Sequence, residues 1–274
     1  MDIIYKLPLP DEICSKIFNF ACKSPHTGLG VEVLKTKLNM EHLNLPEKDE
    51  DVTCIDKEQI IDYTSRDATD IYFYTLFKNL TSIDLDSTGV TGDIIHLNSL
   101  PKLTRIDIGN TYVNGDIAHL NSLQNLTWIG LSDSGVTGDI SNINSLPNLT
   151  GFWFSNEDII GDIACLKTLM NLTKIILSDT GVTGDISHLK SLPNLTEIWL
   201  NNTFVVGDIS HLNSLPNLSM IGFSQTDVFG DIAHLKSLLN LRWIDLDETN
   251  ITGNEDLFHG FRESEGLQEC TVYL

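Results

Sequence analysis

The sequence predicts an α/β solenoid, a horseshoe of stacked coils with a parallel concave sheet of about eight or nine short strands, and three observations predict it. First, the dipeptide Gly-Asp recurs at Gly92, Gly115, Gly138, Gly161, Gly184, Gly207 and Gly230, each interval 23 residues, and Gly253 keeps the beat with Asn254 replacing the aspartate. Second, the residues around that beat share the pattern N-L-T-x-I-x-L-S-x-T-x-V-x-G-D-I-x-H-L-x-S-L-P, as in Asn171 to Pro193. Third, the apolar positions of one coil, such as Leu80, Ile83, Leu85, Val90, Ile94, Leu97 and Leu100, cannot be buried by that coil alone, so stacking has to create the core.

Taken in order along a coil, Leu80, Ile83 and Leu85 point inward from a short strand. Successive strands pair in parallel at about 4.8 Å, which extends the sheet about 40 Å along the stack. Val90 and Ile94 follow the turn, and Leu97 and Leu100 return along the outer side. There the aspartate after each glycine suits the N-cap of a short helical turn, and a histidine three residues on (His96, His119, His188, His211, His234) can meet it locally.

This pattern resembles the leucine-rich-repeat family, the L-domain-like solenoids, over about residues 67 to 274. The family's LxxLxL followed by a polar ladder residue is met by Leu80, Ile83 and Leu85 with Thr88, and by Leu195, Ile198 and Leu200 with Thr203. The Gly-x-Ile after the ladder resembles the convex half of plant-type repeats. In this chain the ladder position carries Thr or Ser (Thr88, Thr111, Ser134, Thr180, Thr203, Thr226, Thr249) where the family usually has Asn, with Glu157 as the exception. A hydroxyl can still bond neighbouring backbone, with shorter reach. The several N-x-S/T sequons, such as Asn125-Leu126-Thr127, are expected as by-products of the repeated NLT rather than as glycan sites.

The predicted organisation has three parts. Residues 1–50 form a helical N-terminal segment, with Ile13, Ile17, Phe18 and Ala21 on one stripe and a second short helix over Val31 to Leu38. Residues 51–79 are an acidic linker and a degenerate first repeat, and residues 80–274 are the repeat domain with a C-terminal cap ending in a strand within Leu267 to Tyr273. The run Leu9-Pro10-Asp11-Glu12-Ile13 with Ile17-Phe18 resembles the opening of an F-box, which implies a substrate receptor of a cullin ubiquitin ligase docking through residues 9–22. The alternative is a helical cap over the first repeat.

Strand alternation puts every second residue on the concave face. All four tryptophans, Trp128, Trp153, Trp199 and Trp243, fall there. The middle column begins with Asp84 and Asp107, continues through Gly130, Trp153, Ile176, Trp199 and Gly222, and closes with Asp245; Met220 joins the apolar group from the neighbouring column. An apolar, aromatic centre with acidic margins marks a contact surface and suggests a protein partner with basic residues flanking an apolar ridge. A purely structural reading is that Trp153 covers Gly130 and Trp199 covers Gly222, protecting bare backbone.

The formal net charge of −21, from 38 acidic against 17 basic side chains, makes nucleic acid and anionic membrane poor partners. No run of 18 apolar residues occurs and the first residues lack a signal-peptide pattern. With five scattered cysteines and no CxxC, this predicts a cytoplasmic setting. No Walker motif, HExxH or nucleophile elbow is present, so no catalytic residues and no cofactor are expected. The repeated aspartate and histidine rows offer too few oxygens per site for calcium, and no metal is expected. The predicted function is therefore non-enzymatic: binding a protein partner on the concave face, or, as alternatives, the ligase receptor or a scaffold without a discrete ligand.

Overall fold

The computed structural model describes Cys54–Ile55 and residues 70–274; the expected helical segment over 1–50, with the F-box-like run, lies outside the described residues. Among the described residues the chain winds as a succession of strand, strand and 3-10 helix in each coil, and like elements of successive coils stack on one another. The strands line up in two parallel sheets. The first holds ten strands: Cys54–Ile55, Ser82–Asp84, Arg105–Asp107, Trp128–Gly130, Gly151–Trp153, Lys174–Ile176, Glu197–Trp199, Met220–Gly222, Trp243–Asp245 and Thr271–Tyr273. The second holds eight, from Thr91–Asp93 through Tyr112–Asp116, Gly135–Asp139, Ile159–Asp162, Gly181–Asp185, Phe204–Asp208 and Asp227–Asp231 to Asn250–Thr252.

The solenoid and its parallel sheet are as the repeat predicts. The second sheet is a further element that the sequence pattern did not announce, because its strands run through the Gly-x-x-Gly-Asp segment whose glycines weaken any strand signal. Its register also differs. In the first sheet Lys174 pairs with Glu197, one full period apart, whereas in the second Thr183 pairs with Phe204, two residues short of a period.

The core is one continuous column. Leu80, Ile83, Leu85, Val90, Ile94, Leu97 and Leu100, and their equivalents in every coil, are buried. At about 25 cal/mol per Å² of apolar surface, such stacking is the main source of stability, and no coil could reach it alone.

Three side-chain devices set the coil spacing. Each Gly-Asp aspartate caps the following 3-10 helix, as where Asp185 Oδ1 accepts from Ser187 N at 2.8 Å. The glycine after it in the stack is required twice over: Gly207 has φ +127°, and a Cβ there would lie 2.6 Å from Asp185 Oδ1. The NLT triplet joins coils directly, since Asn194 Nδ2 donates to the carbonyl of Met170 at 3.0 Å and Thr196 Oγ1 to that of Thr173 at 2.9 Å. The triplet is thus a stacking device with a hydrogen-bonding duty in both polar residues.

The expected Thr ladder is a separate feature. Thr203 Oγ1 donates to Leu200 O at 2.6 Å within its own coil, closing a turn whose preceding residue, Asn202, has φ +51°. Inter-coil bonding falls to the NLT residues instead. In the coil where Glu157 replaces the hydroxyl, the Asn156 side-chain amide instead bridges to the preceding coil, donating to Ser134 O and Val136 O at 3.2 and 3.3 Å.

The C-terminal end is closed by a helix, Glu255–Ser264, capped by Asn254. Phe258 and Arg262 are buried beneath it, and the Arg262 guanidinium donates to the carbonyls of Leu238, Leu241 and Gln268.

Candidate binding face on the first sheet

Register brings the sequence-selected residues into rows. Asp84, Asp107, Gly130, Trp153, Ile176, Trp199, Gly222 and Asp245 stand side by side across consecutive strands of the first sheet. Arg105, Trp128, Gly151, Lys174, Glu197, Met220 and Trp243 form the neighbouring row. The alternating inward residues of the same strands, Ile83, Ile106, Ile129, Phe152, Ile175, Ile198, Ile221 and Ile244, are fully buried, so the outward set has no room in the core.

The outward side chains lean toward the coil that follows in sequence, and this decides which tryptophans are free. Trp128 lies over Gly151, where a Cβ would meet its Cζ3 at 2.8 Å, and the Arg105 guanidinium sits 5.2 Å from its ring. Trp199 lies over Gly222 in the same way, 2.6 Å from a hypothetical Cβ, as the purely structural reading expects. The other expected pair does not form: Gly130 is covered by the Asp107 carboxyl, 2.8 Å from the Cβ position at its Cγ, and not by Trp153. Trp243 packs against Tyr273 with ring centres 5.2 Å apart.

Trp153 is therefore the odd member. It is 44% exposed and no glycine lies beneath it on its C-terminal side, because Ile176 occupies that position. Trp153, Ile176 and Trp199 line a shallow, open depression of about 530 Å³ with Ser155, Ser178, Asp133 and Asp179. The last two were missed in sequence. They occupy turn positions with φ +50° and +60°, and the repeated S-D before the ladder hydroxyl is the signal that could have found them.

The acidic margins are already partnered at both ends. Asp107 pairs with Arg105 at 2.8 Å. Burial holds its carboxyl above the ordinary range, opposed by Arg105 and reinforced by Asp84 and Asp86. Asp245 accepts from Asn201 Nδ2 at 3.0 Å and Ser224 Oγ at 3.1 Å. Asp84 stands at the end of the Trp153 row beside Asp107, and Met220 between Glu197 and Trp243 in the neighbouring row, both partly exposed and outside the depression. Lys174 is neutralised by Glu197 at 2.7 Å. The exposed carboxylates at the depression itself are Asp133 and Asp179, and Asp179 also accepts from Asn202.

Among the described residues no group of three or more His, Cys, Asp and Glu side chains gathers as a metal site, and no helix is long and apolar enough to cross a membrane. The aspartate and histidine rows do not converge: each aspartate is used as a helix cap.

Comparison with known proteins agrees with this geometry. The family description "Leucine Rich repeats (2 copies)" matches residues 171–214. None of the curated proteins matches the chain in sequence. Among solved structures, the chain is similar to the ectodomain of the Arabidopsis thaliana receptor kinase GASSHO1/SCHENGEN3 in complex with CASPARIAN STRIP INTEGRITY FACTOR 2, at 23% identity and TM-score 0.61, covering 80% of this chain and 30% of that one. It is also similar to the plant peptide hormone receptor RGFR1 in complex with RGF2, at 24% identity and TM-score 0.59, covering 67% and 31%. A plant ice-binding protein matches at 21% identity and TM-score 0.57, covering 73% and 67%. The chain thus spans about a third of the length of the two receptors, and at these identities the likeness is one of fold. Residues 171–214 are thus matched as leucine-rich repeats, and the described coils stack as a solenoid of the leucine-rich-repeat fold.

Proposed function

We propose that this chain is a non-enzymatic protein-binding module whose partner seats on the outward face of the first sheet and anchors in the depression between Trp153, Ile176 and Trp199. The observation that carries the reading is the exposed Trp153 indole, which covers no glycine of the sheet, beside two apolar neighbours in one concavity. Exposed aromatic side chains gathered with apolar neighbours are characteristic of binding anchors, and fold alone does not name the ligand. The partner presents an apolar side chain or short ridge, with basic groups placed to meet Asp133 and Asp179. The cited receptors, each in complex with a named ligand, support a macromolecular partner for such a fold. The cytoplasmic setting is part of the same proposal.

The test is Trp153→Ala. A partner isolated by affinity capture from native extract and then purified should bind the variant about 30-fold more weakly, the equivalent of about 2 kcal/mol at a hot spot. The melting temperature should change little, because the indole is half exposed and covers no glycine. Equal affinity of variant and native protein would sink the proposal. Trp199→Ala is the less clean probe, since it also uncovers Gly222.

A further inference from the structure

The second sheet carries an apolar patch that the first-sheet reading does not use. Ile160, Phe204, Val206 and Phe229 are 50%, 70%, 40% and 48% exposed. They share one outward face: Phe204 and Val206 alternate along one strand, Phe229 stands diagonally from Val206 on the next, and Ile160 lies two strands to the other side, across Gly181 and Thr183. Four adjacent strands at about 4.8 Å give a patch about 14 Å long, the length of roughly nine residues of α-helix. Exposed apolar side chains gathered on one sheet face mark an interaction site.

Charge decides what covers it. In register beside the apolar side chains stand carboxylates, Asp185 next to Val206 and Asp208 next to Phe229, on the same outward side of their strands. Both are kept ionised, because each already accepts a backbone N–H as a helix cap. Asp227 and Asp162 add to them, and none of the eight strands of this sheet contains a lysine or arginine. A second copy would set like-charged rows against each other, and an anionic lipid surface would be repelled.

We infer that this face is a second docking surface, separate from the tryptophan face, for a cationic amphipathic helix: apolar side chains at helical spacing on Ile160, Phe204, Val206 and Phe229, flanked by lysine or arginine that meet the aspartate row.

The experiment uses a fluorescein-labelled synthetic helix of leucine and lysine in amphipathic order, with binding read by anisotropy at low and at high salt. The full chain should bind it, and added salt should weaken the binding. Phe204→Ser with Phe229→Ser should weaken it tenfold or more with every charge left in place, while Trp153→Ala and the exposed Tyr112→Ser, on the same sheet outside the patch, should leave it unchanged. Should the double variant fail to melt cooperatively, Phe204→Ser alone, at the most exposed position, should still cost several-fold. Undiminished binding by the patch variants, or loss through Trp153→Ala instead, overturns the inference. So does a sedimentation shift showing that the native chain self-associates through this face and the double variant does not.

Discussion

The tightest point of the stack is the contact between one coil's Asp and the next coil's Gly, and Gly207→Ala tests it. At φ +127° an alanine enters a region that side chains rarely adopt, which costs about 1 to 3 kcal/mol. Its Cβ would also lie 2.6 Å from Asp185 Oδ1. The carboxylate must then retreat from Ser187 N, which it accepts at 2.8 Å, and losing an N-cap costs about 1 kcal/mol more. The sum is about 2 to 4 kcal/mol, or a fall in melting temperature of roughly 5 to 15 °C for a chain of this size. Urea denaturation followed by far-ultraviolet circular dichroism reads it. The same reasoning fixes a coupling. Asp185→Ala alone gives up the cap, so adding Gly207→Ala to it cannot lose the cap again, and the double variant should fall about 1 kcal/mol short of the sum of the singles. A Gly207→Ala protein within about 0.5 kcal/mol of the native one, or strict additivity in the cycle, would refute the idea that this glycine is held by both its φ and its neighbour's carboxylate.

Further outcomes follow from the same contacts. Asn194→Ala, which removes the donor to Met170 O, should cost about 1 kcal/mol in chemical denaturation, and Asn171→Ala the same through Pro147 O. The Asp185 and Asp208 carboxyls are held below the ordinary range chiefly by the backbone N–H groups of Ser187 and Ser210. Their stabilising effect is present above the unfolded value of about 3.9 and is lost as pH falls through the lower folded value, so an Asp185→Asn, Asp208→Asn protein should lose less stability than the native one between pH 4 and 2 (about 3.9 being the reference). Asp107 has the opposite sign: raised by burial, it favours folding at low pH and loses that contribution as pH rises. Arg262→Met should leave the carbonyls of Leu238, Leu241 and Gln268 without their donor and detach the C-terminal helix, seen as about 3 kcal/mol in denaturation and as early proteolysis after residue 250.

Most of the fold is legible because the coil repeats. The inward positions Leu80, Ile83, Leu85, Val90, Ile94, Leu97 and Leu100 follow from apolar character and spacing alone, and all are buried. Asp93 as a helix cap follows from its place after a glycine. The second sheet escapes because Gly181 and Gly184 have poor strand propensity, and pairing there is imposed by stacking. The job of the NLT asparagine escapes for a related reason: its acceptor, the carbonyl of Met170 for Asn194, is a full coil away and leaves no local mark. On the candidate face, which side chains point outward is legible from alternation. The direction in which they lean is not, and that direction separates Trp128 and Trp199, laid over glycines, from Trp153, left free.

The coil that carries Trp153 is also the one that breaks the rules of the others, and this bears on whether the solenoid is a bare scaffold. Seven coils place a non-glycine residue at φ between +50° and +60° before the ladder hydroxyl; the coil through Ser155 and Asn156 does not. There Glu157 is exposed where the other coils bury or half-bury Thr or Ser, and Asn156 bridges to the preceding coil. Ser155 lines the depression and its Oγ accepts from Asp133 N at 3.2 Å. A scaffold with no ligand gains nothing from one irregular turn among seven regular ones, whereas local departures from a consistent pattern are expected at functional sites. Rewriting Asn156, Glu157 and Asp158 as Asp, Thr and Gly restores the sequence seen at Asp179, Thr180 and Gly181. If the irregular turn shapes the depression, this triple variant should be more stable by about 1 kcal/mol and bind the first-sheet partner at least tenfold more weakly. Unchanged affinity with unchanged stability would show the odd coil to be drift, and would leave the tryptophan itself as the sole support for a site there.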